Sequence, residues 1–357
     1  MSEACTHYPE GRGETLIEVR NLTKKYGDHY AIEDLNFTIE KGKIYGFLGP
    51  NGAGKSTTMN IITGCLAATA GEVTIDGHDI FEEPTEAKKL IGYLPELPPV
   101  YLDRTIREYL KFVAEAKGVA KADIKAQIEK AMEYTKITDY QDRLIKNLSK
   151  GYRQRVGIAQ ALIGDPELII LDEPTVGLDP QQIIEIRDLI SSLRGEHTVI
   201  LSSHILSEVQ AICEIIMIIS RGHMVAVDTP DNLEHLFEGM TTVELLMEGS
   251  QAVVEAALKD LENVSSLMAE EEEDGVTKVV LTSETDDERT LCRNIFTIAR
   301  ALDLPILQMK TDKASLEDIF IELTNSETDE DEEEASEVPE LISSDPGKEE
   351  DTSESGL

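Results

Sequence analysis

The nine residues Gly49-Pro50-Asn51-Gly52-Ala53-Gly54-Lys55-Ser56-Thr57 constrain this chain more than any other stretch. They fit the pattern G-x-x-x-x-G-K-[ST], and their flanks match its mechanics. The apolar run 43–48 reads as a buried strand, and residues 56–63 read as the start of a helix. Glycines at 49, 52 and 54 let the backbone curl until successive N–H groups point inward. The helix that follows adds its positive N-terminal end. Such a turn cradles phosphates, so all nine residues are candidate contacts for a nucleotide. Lys55 would reach the β- and γ-phosphates, and the Ser56 hydroxyl would hold Mg²⁺.

A second motif, Leu168-Ile169-Ile170-Leu171-Asp172-Glu173, supplies carboxylates of the right kind. Four apolar residues form a buried strand, and two acids sit at its C-terminal end, where ligands bind in open α/β sheets. Asp172 suits Mg²⁺, directly or through water. Glu173 suits a general base that polarises an attacking water, because phosphoryl transfer needs mainly positioning and charge stabilisation.

Around these motifs the chain reads as α/β. Residues 16–40 alternate, with Leu35, Phe37 and Ile39 on one strand face. A strand and turn follow at 71–77. Residues 98–160 turn helical, with Ile106, Leu110 and Val113, then Ile124 and Ile128, at helical spacing. Short apolar strands at 168–171, 198–202 and 215–219 alternate with helical segments, which argues for a parallel sheet carrying an inserted helical subdomain. Arg221-Gly222 reads as a turn into a strand at 224–227.

From 241 to 325 the pattern changes to βαββαβ, that of a small ferredoxin-like α+β module. Strands are expected at 241–248, 264–269, 276–283 and 306–310, and helices at 250–262 and 315–324. Asp274-Gly275 makes a hairpin turn. A further helix has Leu291, Ile295, Ile298 and Leu302 on one stripe. The expected division is thus a polar tail 1–15, a nucleotide-binding domain 16–240, the module 241–325 and an acidic disordered tail 326–357.

Charge narrows the partners. The formal net charge is −37, and the 32 residues from Ser326 onward carry 14 acids against a single lysine. Such a surface repels nucleic acid, whose binding depends on Lys and Arg neutralising phosphates. No nucleic-acid partner is therefore expected. The four cysteines, Cys5, Cys65, Cys213 and Cys292, are scattered, which fits reduced thiols better than a zinc site or disulfide framework. Residues 1–14 are polar and lack the apolar core of a signal peptide. No apolar run approaches the roughly 20 residues that span a bilayer.

Leu148-Ser149-Lys150-Gly151-Tyr152 precedes the acidic strand and resembles the signature of ATP-binding cassette (ABC) ATPases, usually written L-S-G-G-Q. Lys150 replaces the first signature glycine and Tyr152 the glutamine. The resemblance covers residues 16–240 and implies the P-loop cassette fold: a mostly parallel sheet with an antiparallel β subdomain and a helical subdomain. It further implies that Ser149 and Gly151 touch the γ-phosphate of an ATP held by the opposite subunit. Tyr26 falls where an aromatic ring stacks on adenine, a contact worth about 1–3 kcal/mol. Gly177-Leu178-Asp179 matches the loop that crosses the dimer interface, and His204 matches the histidine that contacts the γ-phosphate. Glu96 stands where most members carry glutamine; a carboxylate there can still coordinate Mg²⁺ through water.

Lys150, Glu96, the single cassette and the added module together resemble the ATPase subunits of ABC-2-type exporters. That likeness implies ATP and Mg²⁺ as cofactors and a homodimer or a heterodimer with a similar subunit. It also implies a separately encoded integral-membrane permease and a cytoplasmic, peripheral position on the inner face of the membrane. The alternative is a soluble mechanical ABC ATPase. Members of that kind carry two cassettes or long coiled coils, whereas this chain has one cassette and no heptad run. A regulatory protein that has lost hydrolysis is disfavoured by the intact Lys55, Asp172 and Glu173.

Overall fold

The computed structural model describes residues 13–235, 241–259, 261, 264–272, 275–283 and 287–313. Two long strands, β1 (Thr15–Tyr26) and β2 (His29–Glu40), form an antiparallel pair that β4 (Ala70–Ile75) and β5 (His78–Asp79) extend, in the order β2-β1-β4-β5. The alternation read from sequence holds: Leu35, Phe37 and Ile39 are buried, while Asn36 and Thr38 are exposed.

The main sheet has six strands. β3 (Ile44–Leu48), β7 (Leu168–Asp172), β8 (Thr198–Ser203) and β9 (Ile215–Ser220) are buried along their whole length. Unbroken apolar runs are what a parallel sheet covered on both faces demands. β6 (Ile91–Leu94) and β10 (His223–Asp228) complete the order β10-β9-β3-β8-β7-β6. All neighbours are parallel except β10, which pairs antiparallel with β9. β6 and β5 were not foreseen, because four residues containing Gly92 and a two-residue strand carry too little periodicity to register.

This order positions the chemistry. β8 lies between β3 and β7, with Leu48 opposite Ser203 and Asp172 opposite Ser202. The phosphate turn, the acidic pair and His204 all follow the C-terminal ends of neighbouring parallel strands, where an open α/β sheet binds ligands. Helix α1 (Lys55–Ile62) leaves the turn directly.

Short helices α2 (Pro84–Lys89) and α8 (Pro230–His235) follow β5 and β10, and a helical layer consists of α3 (Ile106–Ala116), α4 (Ile124–Tyr134) and α5 (Lys150–Leu162). α3 opens with a capping box: the Glu108 N–H donates to Thr105 Oγ1 at 3.3 Å, and the Thr105 N–H donates to Glu108 Oε2 at 3.0 Å. The expected stripes, Ile106, Leu110 and Val113 with Ile124 and Ile128, are buried in the same core as β7 and β8.

Beyond residue 240 a third sheet forms from β11 (Thr241–Glu248), β12 (Val264–Glu271), β13 (Val276–Ser283) and β14 (Ile306–Lys313), in the order β12-β13-β11-β14. Every neighbouring pair is antiparallel. Two helices, α9 (Gln251–Leu258) and α10 (Glu288–Ala301), connect the strands as a split βαβ arrangement does. One expectation needs correcting. Leu291 and Ile295 are buried, but Leu302 is 54% exposed because α10 ends at Ala301, and Ala299 takes the inward place. Asp274 and the helix expected at 315–324 lie outside the described residues.

Phe47 of β3 and Phe37 of β2 pack with ring centroids 6.1 Å apart and join the two sheets of the nucleotide-binding region. Phe47→Ala should therefore cost about 3–5 kcal/mol, as large-to-small core substitutions of Phe do. Urea denaturation followed by far-UV circular dichroism measures it.

Candidate functional site

A cleft of about 350 Å³ opens over the turn at the C-terminal ends of β3, β7 and β8. Asn51, Gly52, Gly54, Lys55, Ser56 and Thr57 form its floor. Glu173, Val176 and His204 also line it, as do Glu96, just after β6, and Ala31 of β2. Gly49, Pro50, Ala53 and Asp172 do not belong to the lining.

The turn tolerates no side chain at two of its glycines. Gly54 has φ +106°, and a Cβ there would come within 2.6 Å of Ile32 Cγ2 and 2.7 Å of the Ala31 carbonyl oxygen. At Gly49 a Cβ would lie 2.4 Å from the Ile219 carbonyl oxygen. Only glycine lets the turn pass between β2 and the end of β9.

Lys55 is 6% exposed and donates to the carbonyl oxygens of Gly49 at 2.7 Å and Pro50 at 3.2 Å. Its Nζ lies 3.7 Å from Glu173 Oε1. Burial pushes its pKa below the usual lysine value, and the charges of Glu173 and Asp172 oppose that shift. The ammonium thus faces the cleft with its carboxylate and carbonyl partners already arranged.

Asp172 sits beneath the floor. Its Oδ1 accepts from Ser56 Oγ at 3.3 Å and from Ser202 Oγ at 2.6 Å. The Ser202 hydroxyl also accepts from the Glu173 N–H at 2.9 Å. One fully buried hydroxyl therefore ties β8 to Asp172 of β7 and to Glu173 just beyond it. Sequence reasoning noted Ser202 only as a strand end. The available signal was a serine closing an apolar strand that neighbours the acidic one.

Glu173 has φ +48°, in the left-handed region that non-glycine residues rarely occupy. Strain of this kind gathers at working sites and points its residue there. Glu173 Oε2 lies 2.9 Å from His204 Nδ1, the geometry of an N–H donating to a carboxylate. His204 lines the cleft beside Glu173.

Among the described residues no three His, Cys, Asp or Glu side chains converge to hold a metal by themselves. Ser56 Oγ and Asp172 Oδ1 nonetheless form a hydroxyl–carboxylate couple at the foot of α1. Such a donor set fits Mg²⁺, which is usually held by one or two carboxylates plus substrate phosphates and water.

The remaining residues singled out from the sequence do not line this cleft. Ser149 caps α5, its Oγ accepting from the Tyr152 N–H at 3.3 Å. Asp179 caps α6 (Pro180–Ser192), its Oδ1 accepting from the Gln182 N–H at 2.9 Å. A Cβ on Gly151 would meet Gln182 Oε1 at 2.5 Å, so the starts of α5 and α6 press together. Tyr26 closes β1 at the hairpin with His29, 50% exposed, with Lys24 Nζ 5.1 Å from its ring centre.

A glycine turn on a helix start, a buried lysine and a strand-end acid pair with its histidine define a nucleotide-phosphate site of the P-loop kind. Comparisons with known proteins carry this to a family. Residues 32–176 match the family described as ABC transporter. The chain is 31% identical over 310 residues to the linearmycin resistance ATP-binding protein LnrL of Bacillus subtilis, covering 87% of this chain and 98% of that one. It is 34% identical over 316 residues to the bacitracin transport ATP-binding protein BcrA of Bacillus licheniformis, covering 88% and 99%. Among solved structures, an ATP-binding subunit of an ABC transporter aligns at TM-score 0.57 and 30% identity, over 63% of this chain and 94% of its own. A dimeric ATP-binding cassette in a post-hydrolysis state, bound to ADP and phosphate, aligns at TM-score 0.54 and 26% identity, over 60% and 98%. The chain belongs to the ABC transporter family, as one of its ATP-binding, ATP-hydrolysing subunits. No helix among the described residues is long and apolar enough to cross a membrane.

Ser202→Ala leaves the Glu173 N–H and one side of Asp172 without their buried partner. A loss of about 1–3 kcal/mol is expected, the cost of an unsatisfied buried group. Chemical denaturation of the variant against the wild type measures it.

Proposed function

We propose that this subunit drives export through a separate membrane permease, working as an ATP-closed dimer of two such chains or of this chain and a similar one. Residues 16–240 act as the cassette and 241–325 as an accessory module. The observation that carries the reading is Glu173, held 3.7 Å from Lys55 and 2.9 Å from His204 at the edge of the phosphate turn.

In this reading the N–H groups of the turn and Lys55 bind the β- and γ-phosphates. Ser56 and Asp172 would hold Mg²⁺, with the Glu96 carboxylate as a further ligand. Mg²⁺ supplies charge neutralisation at the phosphate oxygens. Glu173 accepts a proton from the attacking water and His204 steadies the γ-phosphate. Tyr26 stacks on the adenine. Ser149, Gly151 and Asp179 serve the nucleotide of the partner subunit, which accounts for their position away from their own chain's cleft. ATP then acts through its preference for the closed pair, and hydrolysis reopens it. The resistance and transport names of LnrL and BcrA support export as the direction. The permease holds the subunit at the membrane.

Glu173→Gln should retain ATP binding and ATP-dependent dimerisation while turnover falls by about 10²–10⁴-fold, the usual contribution of a general base. Wild-type phosphate release by that variant would remove Glu173 from the role. With ATP present, tagged Glu173→Gln should recover a multi-helix membrane protein from detergent-solubilised native membranes. Recovery of soluble partners alone would favour a mechanical ATPase instead.

A further inference from the structure

A third buried carboxylate lies behind the catalytic pair, and neither the phosphate turn nor the metal donors involve it. Glu208, the third residue of α7 (Leu206–Gln210), is 7% exposed. Its Oε2 accepts from Thr175 Oγ1 at 2.5 Å and lies 3.5 Å from Ser203 Oγ. Thr175 is 6% exposed and Ser203 1%. Among the described residues no Lys, Arg or His comes within ion-pairing distance of Glu208. A carboxylate kept from water without a cation depends on hydroxyl donors, and losing one leaves an expensive unsatisfied charge.

The two donors hold telling places in the chain. Thr175 stands two residues after Glu173, and Ser203 immediately precedes His204. The Thr175 carbonyl also accepts from the Leu178 N–H at 3.2 Å, which anchors the turn leading to Asp179. The Ser203 hydroxyl, whose proton can go to Glu208 or to the Ile205 carbonyl oxygen at 3.4 Å, accepts in turn from the Ile205 N–H at 3.0 Å, fixing the bend after His204. Glu208 therefore joins, from the protein side, the two segments that present Glu173 and His204 to the cleft. Ser202 joins the same strands from within the sheet.

We infer that Glu208 is a positioning residue for ATP hydrolysis, a clamp that sets the geometry of the Glu173–His204 pair through Thr175 and Ser203. It does not line the cleft. Its loss should show in the chemical step and not in nucleotide binding, because Lys55 and the turn N–H groups lie elsewhere. A misplacement of about 1 Å at reacting groups costs as much as 10²-fold in rate.

The inference rests on the roles proposed above for Glu173 and His204, and the test separates the two. Steady-state ATP hydrolysis and ATP affinity are measured for full-length wild type, Glu173→Gln, Glu208→Leu, Thr175→Val, Thr175→Ser and the double variant Glu208→Leu/Thr175→Val. Thr175→Val keeps the shape of the side chain and removes only the donor, and Glu208→Leu removes the acceptor, which a glutamine would retain. The clamp requires kcat to fall at least 10-fold in Thr175→Val and Glu208→Leu, with KM for ATP within 2-fold of wild type. It also requires Thr175→Ser to restore most of the rate, and the double variant to be no slower than the worse single one, as residues acting as a unit behave. Wild-type kcat in folded Thr175→Val and Glu208→Leu would overturn it. So would a raised KM at unchanged kcat, a Thr175→Ser as slow as Thr175→Val, or multiplied losses in the double variant. Should Glu208→Leu fail to fold, Thr175→Val and Thr175→Ser decide alone. If Glu173→Gln hydrolyses normally, the catalytic reading falls; if it is inactive while the clamp variants are normal, only the clamp falls.

Discussion

The site depends on the parallel pairing of β3, β8 and β7. That pairing brings three strand ends, far apart in sequence, within hydrogen-bonding reach of one another. Leu48 delivers the phosphate turn, Asp172 and Glu173 follow directly from β7, and Ser203 delivers His204. A slip of one residue would turn each side chain to the opposite face of the sheet, so the buried faces of these strands hold the register firmly. Ser202 is the visible sign of that register, since its hydroxyl meets Asp172 and the Glu173 N–H together only when β8 and β7 are aligned.

Electrostatics sets the next constraint. A chain with net charge −37 must still attract a polyanion. It does so locally: one ammonium shielded from water, backbone N–H groups of a turn, and the N-terminal end of α1. The field of a shielded cleft can differ in sign from that of the whole surface. The two neighbouring acids are held by specific donors, Glu173 by His204 and Asp172 by Ser56 and Ser202, and Glu173 lies 3.7 Å from the Lys55 ammonium, so their charge is partly met within the site.

Much of this was legible in the sequence because the decisive signals are local. Gly49 through Thr57 encode their own backbone path, and the apolar run ending at Asp172 encodes a buried strand with acids at its tip. The pairings that depend on tertiary contact were not legible. Ser202 and Glu208 are an ordinary serine and glutamate until β8 and α7 bring them beside β7. β6 escaped notice because four residues do not make a period, and Leu302 was misplaced because the helical stripe outran the helix that carried it. The positions of Ser149 and Asp179 follow from helix capping, which the sequence announces, whereas the close approach of Gly151 to Gln182 does not show in it.

The close approach of Gly54 to Ala31 and Ile32 has a consequence for how such a chain can change over time. The antiparallel sheet rests on the phosphate turn with no room for a methyl group, so the two parts of the cleft share one mechanical reference point. The reversal at Gly27 and Asp28 lies beyond that point and can lengthen or shorten freely. One residue inserted between Ala31 and Ile32 would lift the floor of the cleft. Drift in the outer hairpin can proceed while the phosphate turn stays fixed.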